Sequence, residues 1–324
     1  MNFNVNTVIS KIKPKHLKMS KIFLEIEMPD TKILTSCPCC RSENLEVLEN
    51  LPKLVKSKFY EIRYKNDLSL MWCKNCYLYF KNFSVDHSVD EAIYASFNIN
   101  AGKRWAKKIP NKFLDKISTL RKFEKVLEIG PGETPAAAHF PNANFYTLEM
   151  DPQHIVDDTK VGHHQFHGQV DKDLKFMEGQ QFDAILAFDL FEHVNDVDKM
   201  FRNLHELLRP GGLLIFETGN CNSWAAKYFG IRWKYYSIPE HRVFFNEKSV
   251  LEICKRYDLT PIKIIFTRHK SLRSLWGLIR KCLATVKHLT FNPGMYFKDR
   301  YAILIAPELP VFKDHILCII SKDA

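Results

Sequence analysis

The chain has 324 residues, 46 % of them apolar, and a formal net charge of +10, enough for one large domain with a core and a small appendage. No apolar run reaches 18 residues, which argues against a helical membrane span. The start, MNFNVNTVISKIKPKHLKMSK, lacks the apolar stretch of a signal peptide, so a cytoplasmic protein with reduced thiols is expected.

Residues 1–35 read as a basic extension, with five lysines and no acid between Lys11 and Lys21. Residues 36–85 hold two C-x-x-C pairs, Cys37-Pro-Cys-Cys40 and Cys73-Lys-Asn-Cys76, with thirty-two residues between them. Two such pairs bring four thiolates to one closed tetrahedral site, so a structural zinc on Cys37, Cys40, Cys73 and Cys76 is expected. Cys39 is a bystander in this reading, and an iron–sulfur cluster is the alternative. Residues 86–121 read as a helical linker. Ala92, Ile93 and Phe97, then Phe113, Ile117 and Leu120, fall at helical spacings, interrupted near Gly102 and at Pro110.

From residue 122 to the end, strands alternate with helices. KVLEIG, NFYTLEM, FDAILAFDLF, GGLLIFETGN and PIKIIFT are apolar strands; VDKMFRNLHELL and NEKSVLEICKRYDL are amphipathic helices. The first helix should stop at Arg209-Pro-Gly-Gly212, and Asn246 should cap the second. His163, His164 and His167 read as one exposed strand rather than a metal site. The alternation predicts an α/β fold with a mostly parallel sheet covered on both faces. Ligands then bind beyond the carboxyl ends of the strands. From Leu259 to Lys298 there are eight Lys or Arg and no acid. Within this basic insertion, at about 268–312, SLRSLWGLIRKCLATVKHL places apolar residues on one helix face and Arg273, Arg280, Lys281 and Lys287 on its flanks. Residues 271–289 are expected to be either a lid or a peripheral contact with an anionic membrane at its inner face. HILCIIS should complete the sheet, with YAILIAP as its rival.

The segment Glu128-Ile-Gly130-Pro-Gly132-Glu-Thr134 follows the first core strand. Gly130 and Gly132 allow a ligand close to the backbone. Pro135 breaks the G-x-G-x-x-G pattern of dinucleotide loops. An acid two residues ahead of the first glycine suits a ligand with a positively charged amino-acid end. Glu149, at the end of the next strand and seventeen positions after Gly132, can accept the hydroxyls of a ribose.

VLEIGPGETP, YTLEMDP and FDAILAFDLFEHVNDVDKMFRNLHELLRPGGLLIFETGN together resemble the class I S-adenosylmethionine-dependent methyltransferases over roughly residues 122–267. The resemblance implies a Rossmann-like seven-stranded sheet and S-adenosylmethionine as cofactor. It places Glu128, Gly130 and Gly132 at the methionine half, Glu149 at the ribose with Met150 as a further cofactor contact, and Phe188 and Asp189 beneath the sulfonium. Asp171 fits the adenine-contacting position by spacing, with Gln169 as rival. WCKNCYLYF and the following SVDEAIY resemble the zinc knuckle that precedes certain sugar-pathway methyltransferases, including deoxysugar C-methyltransferases and relatives from polysaccharide gene clusters. The second knuckle departs from them in lacking the usual following glycine.

Methyl transfer to a hydroxyl or carbon acid needs its proton removed. His193, just past the fourth strand, is one candidate base; alternatively Glu192-His193 caps the next helix. His241, in SIPEHRVFF beside Trp233, Tyr235 and Tyr236, is the other. The resemblance makes the expected partner a small-molecule acceptor, a sugar or a nucleotide- or lipid-linked sugar. An RNA methyltransferase is weighed against this on charge, but no RNA-binding module is recognisable. A non-catalytic binding module is the alternative from another class, and the intact Glu128/Gly130/Gly132/Glu149 set argues against it.

Overall fold

The computed structural model describes residues 24–27, 31–56, 60–85, 111–119, 121–132, 136–150, 164–238, 240–268, 283, 302–304 and 313–323. The lysine-rich start, the helical pattern at Ala92–Phe97, His163 and nearly all of the basic helix at 271–289 lie outside them. Eight short strands come first: β1 Leu24–Glu27, β2 Lys32–Ile33, β3 Leu45–Asn50, β4 Leu54–Lys56, β5 Tyr60–Arg63, β6 Ser69–Cys73, β7 Tyr79–Lys81 and β8 Phe83–Ser84. Helix α1, Asn111–Ser118, leads into β9 Lys125–Ile129, β10 Asn144–Glu149, β11 His164–His167 and β12 Phe182–Phe188. Then come α2 Val197–Leu207, β13 Leu208–Gly219, α3 Trp224–Phe229, α4 Lys234–Ser237, β14 Val243–Phe244, α5 Glu247–Arg256, β15 Leu259–Thr267, β16 Ala302–Leu304 and β17 His315–Lys322. No helix among the described residues is long and apolar enough to cross a membrane.

Seven strands form the main sheet in the order β11-β10-β9-β12-β13-β17-β15. The first five are parallel, and β17 inserts antiparallel between β13 and β15. This is the expected class I arrangement, and HILCIIS, not YAILIAP, completes it; β16 pairs instead with β4. Every residue of β12 is buried, as a parallel strand covered on both faces requires. Alternate residues serve opposite faces. Val126, Ala184, Leu186, Phe188, Leu213 and Ile215 pack with Leu114 and Ile117 of α1. Leu127, Ile129, Ile185, Ala187, Leu214 and Phe216 pack with Phe201 and Leu204 of α2 and Ile253 of α5. Each of the Val, Leu, Ile and Phe side chains among them contributes about 1.5–3 kcal/mol when fully buried.

Helix α2 stops ahead of Arg209-Pro-Gly-Gly212, as expected, and that segment lies within β13. Helix α2 ends one residue earlier, and the ladder with β12 absorbs the extra residues by a register shift between Phe182 and Ala184. Asp196 caps α2 by accepting from the Lys199 N–H at 3.0 Å, so Glu192 and His193 do not cap it. Asn246 caps α5 in a reciprocal capping box with Ser249, as expected.

The cysteine segment builds a second sheet, β14-β7-β6-β3. Its outer strand β14 comes from the far side of the sequence, and Val243 and Phe244 pair with Phe80 and Tyr79. The two knuckles share one backbone shape. Arg41 and Tyr77 each follow the second cysteine of a pair, and each has a left-handed φ, 62° and 59°. Each donates its N–H to the carbonyl of the first cysteine, at 3.0 and 2.9 Å. A non-glycine residue pays about 1–2 kcal/mol for that conformation. Both knuckles then grip a helix cap: Arg41 reaches Asp196 at 2.5 Å, and the Asn246 amide donates to the Tyr77 carbonyl at 2.9 Å.

Candidate active site

At the carboxyl end of β9 the chain turns through Gly130 and Gly132, both with φ near +60°. The two glycines do different work. A Cβ at Gly130 would lie 2.8 Å from Leu190 Cδ1, whereas one at Gly132 would enter open space. Gly130 therefore permits close packing on the loop after β12, whereas Gly132 borders open space and is required by its left-handed φ. The Gly132 N–H donates to Glu149 Oε2 at 3.2 Å, joining the ends of β9 and β10. Glu149 Oε1 accepts from the Met150 N–H at 2.8 Å. Glu128 is buried and accepts from the Ala136 N–H at 2.6 Å, so one of its oxygens holds the turn beyond the loop.

For the third strand end the two rivals differ. Asp171 is buried, and its Oδ2 accepts from the Asn195 and Asp196 N–H groups at 2.8 and 3.1 Å. Gln169 leans its amide on the Met150 sulfur and keeps a buried Oε1 with no partner. Such an orphaned acceptor beside Met150 suits a ligand's donor better than Asp171 does. Phe188 is buried at the end of β12. Asp189 follows at φ 48°, a strained conformation of the kind that clusters at functional sites.

Beyond β12 a polar group closes around Glu192, which is fully buried. Its Oε2 accepts from the Thr218 hydroxyl at 2.8 Å, and the Tyr235 hydroxyl lies 3.1 Å from Thr218 and accepts from the Gly219 N–H. Burial, then the Asp189 charge, push the Glu192 carboxyl up to about 7. Its Oε1 lies 3.8 Å from His193 Nε2 and 3.9 Å from His241 Nε2. The two imidazoles meet edge to face at 4.5 Å. His241 donates from Nδ1 to the Tyr235 carbonyl at 3.1 Å. Burial, then His193, hold its pKa well below the ordinary value, so it is neutral. The His193 side chain is 18 % exposed and that of His241 8 %.

His315 opens β17 at the same rim. Burial alone would lower its pKa. The hydrogen bond to Asp314 at 3.0 Å and the carboxylates of Asp189, Asp314 and Glu217 outweigh burial and raise it to about 9. The strand that brings His241 is held from the cysteine sheet: the Lys81 N–H donates to the Arg242 carbonyl at 2.8 Å and its buried ammonium to the Ile238 carbonyl at 2.6 Å. Arg242 in turn donates its N–H to the Glu192 carbonyl at 2.7 Å and its guanidinium to the His193 carbonyl. The sequence had not singled out Glu192, Thr218, Lys81 or His315 for the chemistry. For Glu192 a signal existed: an acid beside a histidine directly after the central strand.

The four cysteines do converge. Cys37 and Cys76 sulfurs are 3.5 Å apart, Cys40 and Cys73 sulfurs 3.4 Å, and all four lie within 4.8 Å of one another. Sulfurs about 3.8 Å apart are what a tetrahedral Zn–S4 centre needs, so the donor set fits zinc. Glu192, His193 and His241 form the other group of converging metal-type donors among the described residues.

Residues 97–264, more than half of the chain, match the family model described as a methyltransferase domain. The ubiquinone biosynthesis O-methyltransferase of Ruegeria pomeroyi is 32 % identical over 90 residues, 26 % of this chain and 36 % of that protein. The protein of the same name from Coxiella burnetii (strain Dugway 5J108-111) is 40 % identical over 109 residues, 32 % of this chain and 47 % of that one. The chain thus spans less than half the length of these curated relatives. A solved S-adenosylmethionine-dependent methyltransferase from Clostridium acetobutylicum is 11 % identical, with 72 % of this chain and 100 % of that one covered, at a TM-score of 0.45.

Proposed function

Because the chain belongs to the methyltransferase-domain family, we propose that it is a transferase that moves the methyl group of S-adenosylmethionine to a small-molecule acceptor. The Gly130–Gly132 turn beside Glu149 supports this reading, since it joins the ends of β9 and β10 next to open space at Gly132. Gly132 and Glu128 would hold the methionine half and Glu149 the ribose. Met150 with Gln169 or Asp171 would border the adenine, and Phe188 and Asp189 would lie under the reacting carbon. The bound donor supplies a sulfonium-activated methyl group for in-line displacement, so the chain's task is approach geometry and the acceptor's proton. That proton leaves at the cluster of Glu192, His193 and His241, which follows β12.

We take the acceptor to be a sugar or sugar conjugate, on the resemblance of the cysteine knuckles to those ahead of sugar-pathway methyltransferases. O-methylation of the kind named for the relatives in ubiquinone biosynthesis is the second reading, favoured by their identity to this chain. Zinc at Cys37, Cys40, Cys73 and Cys76 has a structural part in this reading, tying the β14 strand to the core. Incubation with methyl-labelled S-adenosylmethionine, offered nucleotide-linked sugars and ubiquinone precursors in parallel, tests it. Label on the sugar is expected. Label on the ubiquinone precursor would replace the acceptor while keeping the transferase, and absence of S-adenosylmethionine binding by calorimetry would remove both.

A further inference from the structure

Glu192 carries an oddity that its role as a buried acid does not explain. Oε2 is bonded to Thr218, but Oε1, in a fully buried residue, has no hydrogen-bond partner. Leaving such an acceptor unpaired costs about 1–3 kcal/mol, more when it is charged. Two histidine nitrogens face it, yet at 3.8 and 3.9 Å neither is a hydrogen bond. A carboxylate paired with one base would sit within about 3 Å of it and farther from the other. Near-equal, over-long distances to both are the arrangement of three donors around a shared centre.

We propose that Glu192 Oε1, His193 Nε2 and His241 Nε2 bind a divalent first-row transition cation, separate from the cysteine centre. The three donor atoms lie within 4.8 Å of one another. Around a cation with bonds of about 2.1 Å they would stand roughly 3.0–3.5 Å apart, so small rotations of the side chains close the site. Two imidazoles and one carboxylate leave coordination positions open and suit such cations, whereas four thiolates suit structural zinc. The supporting shell is in place. His241 gives its Nδ1 proton to the Tyr235 carbonyl, which leaves the Nε2 lone pair turned to the centre, as metal-bound histidines require. Thr218, joined to the Tyr235 hydroxyl, fixes the other oxygen of Glu192. His193, the more exposed ligand, stands on the open side. The cation's role rests on the transferase reading above; its binding does not. In that role an acceptor hydroxyl meeting the cation loses its proton to solvent more easily. Its oxygen–carbon bond then forms as the donor's sulfur–carbon bond breaks.

The full-length protein, its cysteine site as isolated, is titrated with Mn2+ and separately with Co2+. Electron paramagnetic resonance reads bound Mn2+ and the couplings of coordinated imidazole nitrogen; absorption reads Co2+ without a thiolate charge-transfer band. About one equivalent of each is expected, bound below millimolar, with nitrogen coupling. The Glu192→Gln/His241→Gln double variant should lose it while keeping S-adenosylmethionine binding, which also reports that the sheet is folded. The wild-type spectrum needs no substitution, so misfolding of the variant cannot decide the outcome. Failure of both ions to bind the wild type, binding without nitrogen coupling, or binding that survives in a folded double variant overturns the proposal. A wild type that binds the cation but not S-adenosylmethionine would instead strike the transferase reading.

Discussion

The two halves of the carboxyl edge of the main sheet are built differently. On the half proposed for the cofactor, Gly130, Gly132, Glu149 and Gln169 come from three consecutive strand ends, within one short stretch of chain. On the acceptor half, Glu192, Thr218, Tyr235, His241 and His315 come from separate elements, and the strand after His241 is carried by Phe80 and Tyr79 of the cysteine sheet. The cofactor half can form wherever the parallel strands do. The acceptor half needs the cysteine sheet, the helix caps and the returning strand β17 all in place. Binding of the donor and turnover should therefore be separable.

The sharpest test is removal of one cysteine. Cys73→Ser should lose the metal and destabilise the cysteine sheet by several kcal/mol, since structural zinc supplies roughly 10 kcal/mol or more of folding energy in small sites. Hydrogen exchange at 238–246 should rise sharply and turnover should fail, while S-adenosylmethionine affinity changes by no more than about twofold. Equal loss of donor binding would break the comparison.

Next comes the cofactor half itself. Gly132→Val should weaken donor binding on the order of a hundredfold by calorimetry, as the side chain fills the open space at a φ of +60°. Gly130→Val meets Leu190, so its main effect should be a lower melting temperature. Retained affinity in Gly132→Val would mean that the donor lies elsewhere.

Within the acceptor half, His193→Ala and His241→Ala should each cut kcat by about a hundredfold with donor affinity kept. If neither variant loses rate, the proton leaves by another route and the cluster is structural.

The smallest effect concerns pH. His315 has its folded pKa raised from 6.5 to about 9. A raised cationic pKa stabilises the fold fully below pH 6.5, and this contribution fades as pH rises through about 9. The unfolding free energy from urea titration should fall across that window by at most about 3 kcal/mol, and His315→Gln should flatten the change. An identical profile in the variant would show that Asp189, Asp314 and Glu217 do not hold the imidazolium.

Much of this was legible in the residues. The strand segments at 125–129, 144–149 and 182–188, alternating with helices, specified a parallel sheet, and the run at 182–188 is apolar enough for burial on both faces. Asn246 announced its helix, and the paired cysteines their meeting, because capping and metal ligation depend on short local spacings. The double-glycine turn with Glu149 was readable for the same reason: strand order brings neighbouring strand ends together. Only the tertiary structure decided that a side chain at 130 would meet Leu190 while one at 132 would meet nothing, that Asp171 spends an oxygen on the α2 loop, and that Glu192 lies between two histidines. Those outcomes depend on which distant segments meet, and on burial that leaves one carboxylate oxygen without water. Neither leaves a periodic or short-range mark in a chain, so local pattern could mark Glu192 beside His193 but not that the same acid also faces His241.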